Sequence, residues 1–375
     1  MKKITKILFT IPNFDTAGSG KALLNLAMGL DKNKYEVHIA CLHNRGNYFN
    51  VVKESGIQVH VFNYLNPARP LMTLLKKTWQ VSRILKKISP DLIHSFNYSD
   101  DYTEALSARL AGIPWVFTKK NMSWGGASKH AWKLRSYLAK GIIVQNTDMI
   151  AQFYPNRKNV QLIARGVNVN LFLGGTPDQA IREKMETPLE SRLIICVANL
   201  IPVKGVEILL QAFEALASEY PEWILWIVGD YSGDYGKEKI RWVKEHKLEQ
   251  RIKFSGKQEN VKNYLNIAEI FVLPTLGKGE GSPVAMLEAM ANGKVVIGSE
   301  VPGIKDQLKD YPDNLFKPGN WQSLSNKLKL FMAATSKMNF LIGNLFMEHV
   351  KNKFSIENEI FKHDAFYQKI LGDKQ

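Results

Sequence analysis

The stretch that decides the fold is Gly279–Gly303, GEGSPVAMLEAMANGKVVIGSEVPG, entered from Ala268–Thr275, AEIFVLPT. The entry reads as a buried strand that stops at Pro274, because proline has no N–H to give to a sheet ladder. A helix is expected from Ser282-Pro283, with serine at the N-cap, proline at the first helical position and Gly293 past the end. A second apolar run, Val295 to Gly298, follows at once. Strand, loop, helix, strand is the repeating unit of a parallel sheet. It sets Glu280 in the loop and Glu288 inside the helix. Backbone N–H groups near residues 281–284 are left at the positive end of the helix, which suits an anionic or hydroxyl-rich ligand.

Outward from this unit the same rhythm continues in both directions. Strands are expected at Leu193–Ala198, Ile224–Gly229, Ile252–Ser255 and Ile270–Leu273, with helices at Val206–Tyr220, Lys237–His246 and Val261–Ala268. Upstream, strands are expected at Lys6–Pro12, Glu36–Leu42, Gln58–Phe62, Leu92–Ser95, Trp115–Thr118 and Gly141–Gln145. Between the two series the pattern breaks at Gly166, Gly174-Gly175, Pro177 and Pro188, which read as a linker. The economical reading is an α/β chain of two doubly wound domains in tandem: residues 1–168, a linker over 169–190, residues 191–353, and a helical tail over 354–375. Ligands of open parallel sheets bind beyond the carboxyl ends of the strands, so two such domains facing one another would leave a cleft between them. A length of 375 residues fits two domains.

The loop after the first strand, Asn13–Lys21 (NFDTAGSGK), precedes a helical pattern from Ala22 and has the strand–glycine–helix form of a phosphate site. A P-loop is excluded, since Asp15 replaces its first glycine and Ala22 stands where Ser or Thr would hold magnesium. The loop keeps Gly18, Ser19 and Gly20, which allow close backbone approach to a ligand. In the second domain Asn199–Gly205 (NLIPVKG) sets Lys204 just before a helix, where an ammonium could clamp a diphosphate.

The formal charge of +15 is unevenly spread. Residues 1–170 hold 24 Lys and Arg against nine Asp and Glu, and the remainder balances at 26 of each. A domain so basic attracts an anionic surface. Two basic amphipathic helices are expected there. One, Leu71–Ile88, has an apolar stripe of Leu71, Leu74, Leu75, Val81, Leu85 and Ile88. The other, Ser128–Lys140, interleaves Trp132, Leu134, Tyr137 and Leu138 with Lys129, Lys133, Arg135 and Lys140, and is the better candidate for a membrane surface. The N-terminal MKKITKILF mimics a signal peptide, but Lys6 and Pro12 interrupt it and a first strand is expected instead. No apolar run is long enough to span a bilayer. Cys41 and Cys196, the only cysteines, follow strand-like runs and read as buried thiols.

Taken together, these residues resemble the retaining nucleotide-sugar glycosyltransferases of family 4, which have two facing Rossmann-like domains, the B-type glycosyltransferase fold. The resemblance spans nearly the whole chain and is strongest over Ile194–Asp306. Its paired-glutamate motif is met by Glu280 and Glu288 within EGSPVAMLEAMANGKVVIGS, and Phe254-Ser255-Gly256 fits a loop near the nucleotide base. It implies that Glu288 binds ribose hydroxyls, Glu280 the donor sugar, and Lys204 and the Gly18–Gly20 loop the diphosphate. Gly256, Gly281, Ser282, Pro283 and Val284 would complete the donor site. It also implies that a helix beginning at Phe354-Ser355 crosses back to the first domain. The chain departs from the family pattern at Asn199, where an arginine is usual, and at Lys120, where a histidine is frequent. The usual Asn-Gly-Val-Asp linker reads Arg165-Gly166-Val167-Asn168, and Lys119, Lys120 or Arg165 is expected to make up the missing positive charge.

The implied reaction moves a sugar from a nucleotide-diphosphate donor to a hydroxyl acceptor with retention, with Glu280, Lys204 and Lys120 as catalytic residues. No Asp-x-Asp and no His/Cys cluster is present, so neither a metal nor another cofactor is expected. The expected partners are the nucleotide sugar, a lipid-linked or glycan acceptor and an anionic membrane surface. No nucleic-acid module is recognisable, so nucleic acid is not expected. The expected place is the cytoplasm, peripheral on the inner face of the membrane, in cell-surface polysaccharide or glycolipid synthesis. The alternative is a non-catalytic nucleotide-sugar or glycan-binding subunit, motivated by Asn199 and the missing histidine.

Overall fold

The computed structural model describes residues 4–15, 17–46, 48–124, 128–175 and 178–372. Lys2 and Lys3 of the N-terminal run, Thr16 of the glycine loop and Pro177 of the linker lie outside these. The chain forms two compact units, one of the residues up to Ala164 with the segment from Ile356, the other Arg165–Ser355.

The first unit alternates β1 (Thr5–Thr10), α1 (Ala17–Gly29), β2 (Tyr35–Cys41), α2 (Phe49–Glu54), β3 (Gln58–Val61), α3 (Leu71–Ile88), β4 (Leu92–Ser95), α4 (Thr103–Ala111), β5 (Trp115–Lys119), α5 (Lys129–Leu138), β6 (Gly141–Val144), α6 (Thr147–Phe153) and β7 (Val160–Leu162). The strands form one parallel sheet in the order β3-β2-β1-β4-β5-β6-β7. Side chains alternate across it. Ile7, Phe9 and Val116 pack under α1, whereas Leu8, Trp115 and Phe117 pack under α3 and α5. A sheet covered on both faces requires such continuous apolar strands.

The second unit begins with α7 (Val169–Phe172) and α8 (Gln179–Lys184). Residues 169–190, expected as a linker, belong to this unit because Val169, Phe172 and Met185 are buried in its core. There follow β8 (Arg192–Val197), α9 (Val206–Ala217), β9 (Trp223–Val228), α10 (Asp234–Glu245), β10 (Ile252–Gly256), α11 (Val261–Ile267), β11 (Ile270–Leu273), α12 (Val284–Ala291), β12 (Val295–Ser299), α13 (Ile304–Gln307), β13 (Leu315–Phe316), α14 (Trp321–Ala333) and α15 (Ser336–Lys353). Its parallel sheet has the order β10-β9-β8-β11-β12-β13. Both sheets therefore reverse direction beside their first strand, between β1 and β4 and between β8 and β11. Those reversals are the topological switch points at which doubly wound sheets bind ligands.

The last helix, α16 (Ile356–Gly372), returns to the first unit. Phe366, Tyr367 and Ile370 enter its core, and the Tyr367 hydroxyl meets Nδ1 of buried His94 at 2.7 Å. Gly141 makes the approach possible, since a Cβ there would stand 2.7 Å from both Phe366 and Ile370. Tyr35 and Lys34 hold Asp364 on the same helix.

Two local expectations change. The segment Gly18–Lys21 is not loop but the first turn of α1, which starts at Ala17. Glycine is tolerated there, and at Gly20 it is needed, because a Cβ would meet the Phe14 ring at 2.8 Å. Gly18 has open space around it. Ser282 is likewise not a cap: α12 starts at Val284 after Pro283, and the serine hydroxyl is engaged elsewhere.

Candidate functional site

In the second unit the loops after β8 and β11 flank the switch point, and the backbone ties them together. Leu276 N donates to Val203 O at 2.8 Å. Gly205, at φ +61, lets the first loop lie against the end of β11, since a Cβ there would be 2.2 Å from Pro274 O. This contact brings Lys204, in the turn before α9, to Glu280 after β11: Nζ and Oε1 are 2.5 Å apart. Both side chains are mostly buried, 23% and 17% exposed. Buried Thr275 donates its hydroxyl to the same carboxylate oxygen at 2.8 Å.

The loop after β12 fixes the backbone of Glu280. Its N–H donates to Pro302 O at 2.9 Å, and Gly303, at φ +81, leaves no room for a Cβ, which would meet Glu280 O at 2.6 Å. Glu280 is thus held from three strand ends, its carboxylate from β8 and β11 and its backbone from β12. Beside it, Ser282 Oγ accepts from Arg165 N at 3.1 Å and from Gln307 Nε2 at 3.0 Å. Pro283 and Val284 open α12 and direct its N-terminus to the same edge, with Gly281 just before them. Glu288 is half-buried one turn further along α12.

Asn199 and Gly256 also stand at carboxyl ends, of β8 and β10. Asn199 O accepts from Ile201 N at 2.9 Å, and Gly256 O from Gly229 N at 3.0 Å. The structure brings together Lys204 and Glu280, and Arg165 and Ser282. It places Asn199, Gly256 and Glu288 on the same edge of the same sheet.

In the first unit Gly18, Ser19 and Gly20 follow β1, and Lys120 follows β5. Lys120 Nζ donates to Phe96 O at 2.7 Å and lies over the Phe96 and Tyr98 rings. Lys119 points the other way and is fully buried. Its Nζ is 4.1 Å from the Phe153 ring centroid, 4.9 Å from that of Trp132 and 5.4 Å from that of Trp124. It donates to Ser123 O at 2.5 Å. Burial pushes its ammonium down to about 7. Lys119 is therefore no substitute phosphate ligand.

Two family models match in succession, Glycosyltransferase Family 4 over residues 16–171 and Glycosyl transferases group 1 over residues 177–344. The capsular polysaccharide biosynthesis glycosyltransferase CapH of Staphylococcus aureus is 31% identical over 313 residues, 80% of this chain and 84% of that one. The chain is a family 4 glycosyltransferase. An Escherichia coli relative of this glycosyltransferase, UDP-Gal:alpha-D-GlcNAc-diphosphoundecaprenol alpha-1,3-galactosyltransferase, is 26% identical over 80% of this chain and 81% of its own. Among solved structures, Anabaena HepE in complex with UDP superposes with a TM-score of 0.82 at 18% identity, over 97% of this chain and 100% of that one. Its likeness shows the B-type glycosyltransferase fold.

Some buried polar contacts at the sheet edges of the two units are invisible to motif reading. That of Thr275 is one; its signal was a lone hydroxyl at the end of an apolar strand. A second is the buried cluster at the ends of β1 and β4. Glu104, fully buried on α4, accepts from Thr10 Oγ1 and, at 2.8 Å, from Ser95 Oγ. Arg135, expected on a polar face, is also fully buried and donates to Asn97 O at 2.8 Å and Ser95 Oγ at 3.2 Å. Burial pushes the Glu104 carboxyl up, offset by the Arg135 charge. From within, Arg135 holds the Asn97 and Asp101 carbonyls of the loop after β4. Among the described residues no three His, Cys, Asp or Glu side chains are grouped to hold a metal ion. Cys41 and Cys196 are both buried, and burial raises their thiols to about 11 and about 12.

Proposed function

We propose that the glycosyltransferase takes a nucleotide-diphosphate sugar as donor and transfers the sugar, with retention, to a hydroxyl of a lipid-linked or glycan acceptor in cell-surface polysaccharide or glycolipid synthesis. The observation that carries this is the Lys204–Glu280 pair at the switch point of the second sheet, 2.5 Å apart beside the N-terminus of α12. An ammonium has three donors, and the pair uses one. The others can meet diphosphate oxygens, while Glu280, fixed by Thr275 and Lys204, accepts from sugar hydroxyls. Glu288 on α12 takes the ribose hydroxyls, and Asn199, Arg165 and Gly256 border the nucleotide. In the first unit Gly18, Ser19, Gly20 and Lys120 form a separate candidate subsite.

In this reading the bond from the anomeric carbon to the diphosphate oxygen breaks as the acceptor oxygen attacks from the same face. The acceptor proton passes to a leaving phosphate oxygen. Charge grows on the diphosphate, and the fixed cation at Lys204 stabilises it without reorganisation. No step calls for a metal. The UDP complex of HepE supports a uridine nucleotide as the first to try, and the name of the Escherichia coli relative supports a polyprenol-diphosphate acceptor. An acceptor of that kind supports a peripheral location on the inner face of the membrane.

The test is a thermal-shift screen against nucleotide sugars, followed by transfer to a polyprenol-diphosphate sugar. A specific donor at one hundred times its Kd adds about 2.7 kcal/mol of stability. If no nucleotide sugar shifts the transition and none is hydrolysed or transferred, the reading is wrong.

A further inference from the structure

Helix α3 has two apolar sides, and only one is covered. Leu74, Val81 and Leu85 face the sheet and are buried. Leu71, Met72, Leu75 and Trp79 are exposed, at 64%, 77%, 57% and 51%. At about 100° per residue these four fall within about a quarter to a third of the helix circumference, so they form one surface strip. Lys76, Arg83 and Lys87 run along its flank, and Lys86 follows it at the last turn. The guanidinium of Arg83 lies 5.0 Å from the Trp79 ring centroid. The helix, LMTLLKKTWQVSRILKKI, contains no Asp or Glu.

Aromatic and basic interleaving in the sequence favours α5 for such a surface, and burial removes that choice. Trp132 is buried against the core and Arg135 is fully enclosed, which leaves Tyr137 as its one widely exposed aromatic. The expected single stripe on α3 also divides, because Leu71 and Leu75 turn away from the core that holds Leu74.

We propose that the exposed face of α3 docks the enzyme on an anionic lipid bilayer. This rests on the functional reading above for its purpose, since a lipid-linked acceptor must be met at a membrane, but the surface stands on its own geometry. A strip of leucine, methionine and tryptophan can enter the headgroup boundary while flanking cations meet lipid phosphates. Nucleic acid would satisfy the cations and leave the four apolar side chains in water. A second copy of the chain would bury the strip and oppose like charges across it. Among the described residues no helix is long and apolar enough to cross a membrane, so attachment through α3 is of the peripheral kind.

The experiment uses the whole chain in co-sedimentation with phosphatidylcholine vesicles, with and without phosphatidylglycerol. Binding is expected with the anionic lipid and is expected to weaken as salt rises. Lys76→Gln and Lys87→Gln should each weaken it roughly fivefold, the conversion of about 1 kcal/mol per basic residue near the surface. Leu75→Asp and Trp79→Asp should abolish it, with circular dichroism and the unfolding midpoint unchanged because both side chains are exposed. Unaltered vesicle binding by these variants would overturn the proposal. So would a wild-type protein that ignores vesicles and instead binds duplex DNA or forms a dimer that Leu75→Asp disperses. Transfer to a detergent-soluble acceptor should survive in the α3 variants. Vesicle binding without any transfer would instead fault the functional reading and leave the docking face intact.

Discussion

Lys204 and Glu280 neutralise one another before any substrate arrives, so neither acts alone. A double-mutant cycle on donor turnover should show this. Lys204→Ala is expected to cost on the order of 10² to 10³ in kcat, the effect of removing one preorganised charge donor. Glu280→Gln alone should also impair turnover, and the double variant should lose much less than the product of the two, because contacting residues couple. Additive losses would show that the two side chains work independently. Lys119 makes a second residue-scale prediction. Its folded-state value near 7 lies below the ordinary lysine value of 10.5. Above the unfolded value both states are neutral and nothing is lost. As pH falls towards 7 the unfolded chain takes up a proton that the folded chain refuses, so stability falls by up to about 1.4 kcal/mol per pH unit and then levels off. Lys119→Met should flatten that slope in denaturant titrations from pH 7 to 10. An unchanged slope would mean that the aromatic box carries the charge without penalty.

At the scale of elements, the site depends on loops that pack backbone against backbone. Gly303 lies at φ +81 with its missing Cβ pointed at Glu280 O. Gly303→Ala combines a disfavoured backbone angle with a clash that only movement of the Glu280 loop can relieve. The variant should lose roughly 1 kcal/mol or more, which lowers the unfolding midpoint by a few degrees. Turnover should fall with it, since Glu280 moves. Wild-type kinetics with intact stability would show that the loop has slack. Much of this level was legible in the chain itself. The strand ends, the helix after Pro283 and the paired glutamates follow from apolar runs and breakers. The closing of Gly303 on Glu280 was not, because a glycine in a sequence does not say which distant carbonyl will sit against it.

For the whole molecule, α16 completes the first unit. Phe366, Tyr367 and Ile370 are almost wholly buried there. At roughly 1.5 to 3 kcal/mol for each such side chain, ending the chain at Ser355 removes an amount comparable with the entire stability of a domain, about 5 to 15 kcal/mol. Calorimetry should show the transition of the first unit weakened or lost, while that of residues 165–355 persists. A first unit that still melts at its former temperature would contradict this role for the helix.

The sequence by itself determined two parallel sheets, their strands apart from the short edge strands β7 and β13, the carboxyl edge on which Lys204, Glu280 and Glu288 fall, and the basic excess of the first half. These are properties of local pattern: apolar runs, breakers and spacing fix a strand's identity and which end of it carries a loop. Only the tertiary structure decided that Lys204 meets Glu280, that Thr275 joins them, that Arg135 and Lys119 turn inward, and that the exposed apolar strip lies on α3 rather than α5. Each of those depends on which face of a helix the sheet takes up and how closely two loops approach. The side chain's own chemistry leaves that choice open, and packing against residues far away in the chain makes it.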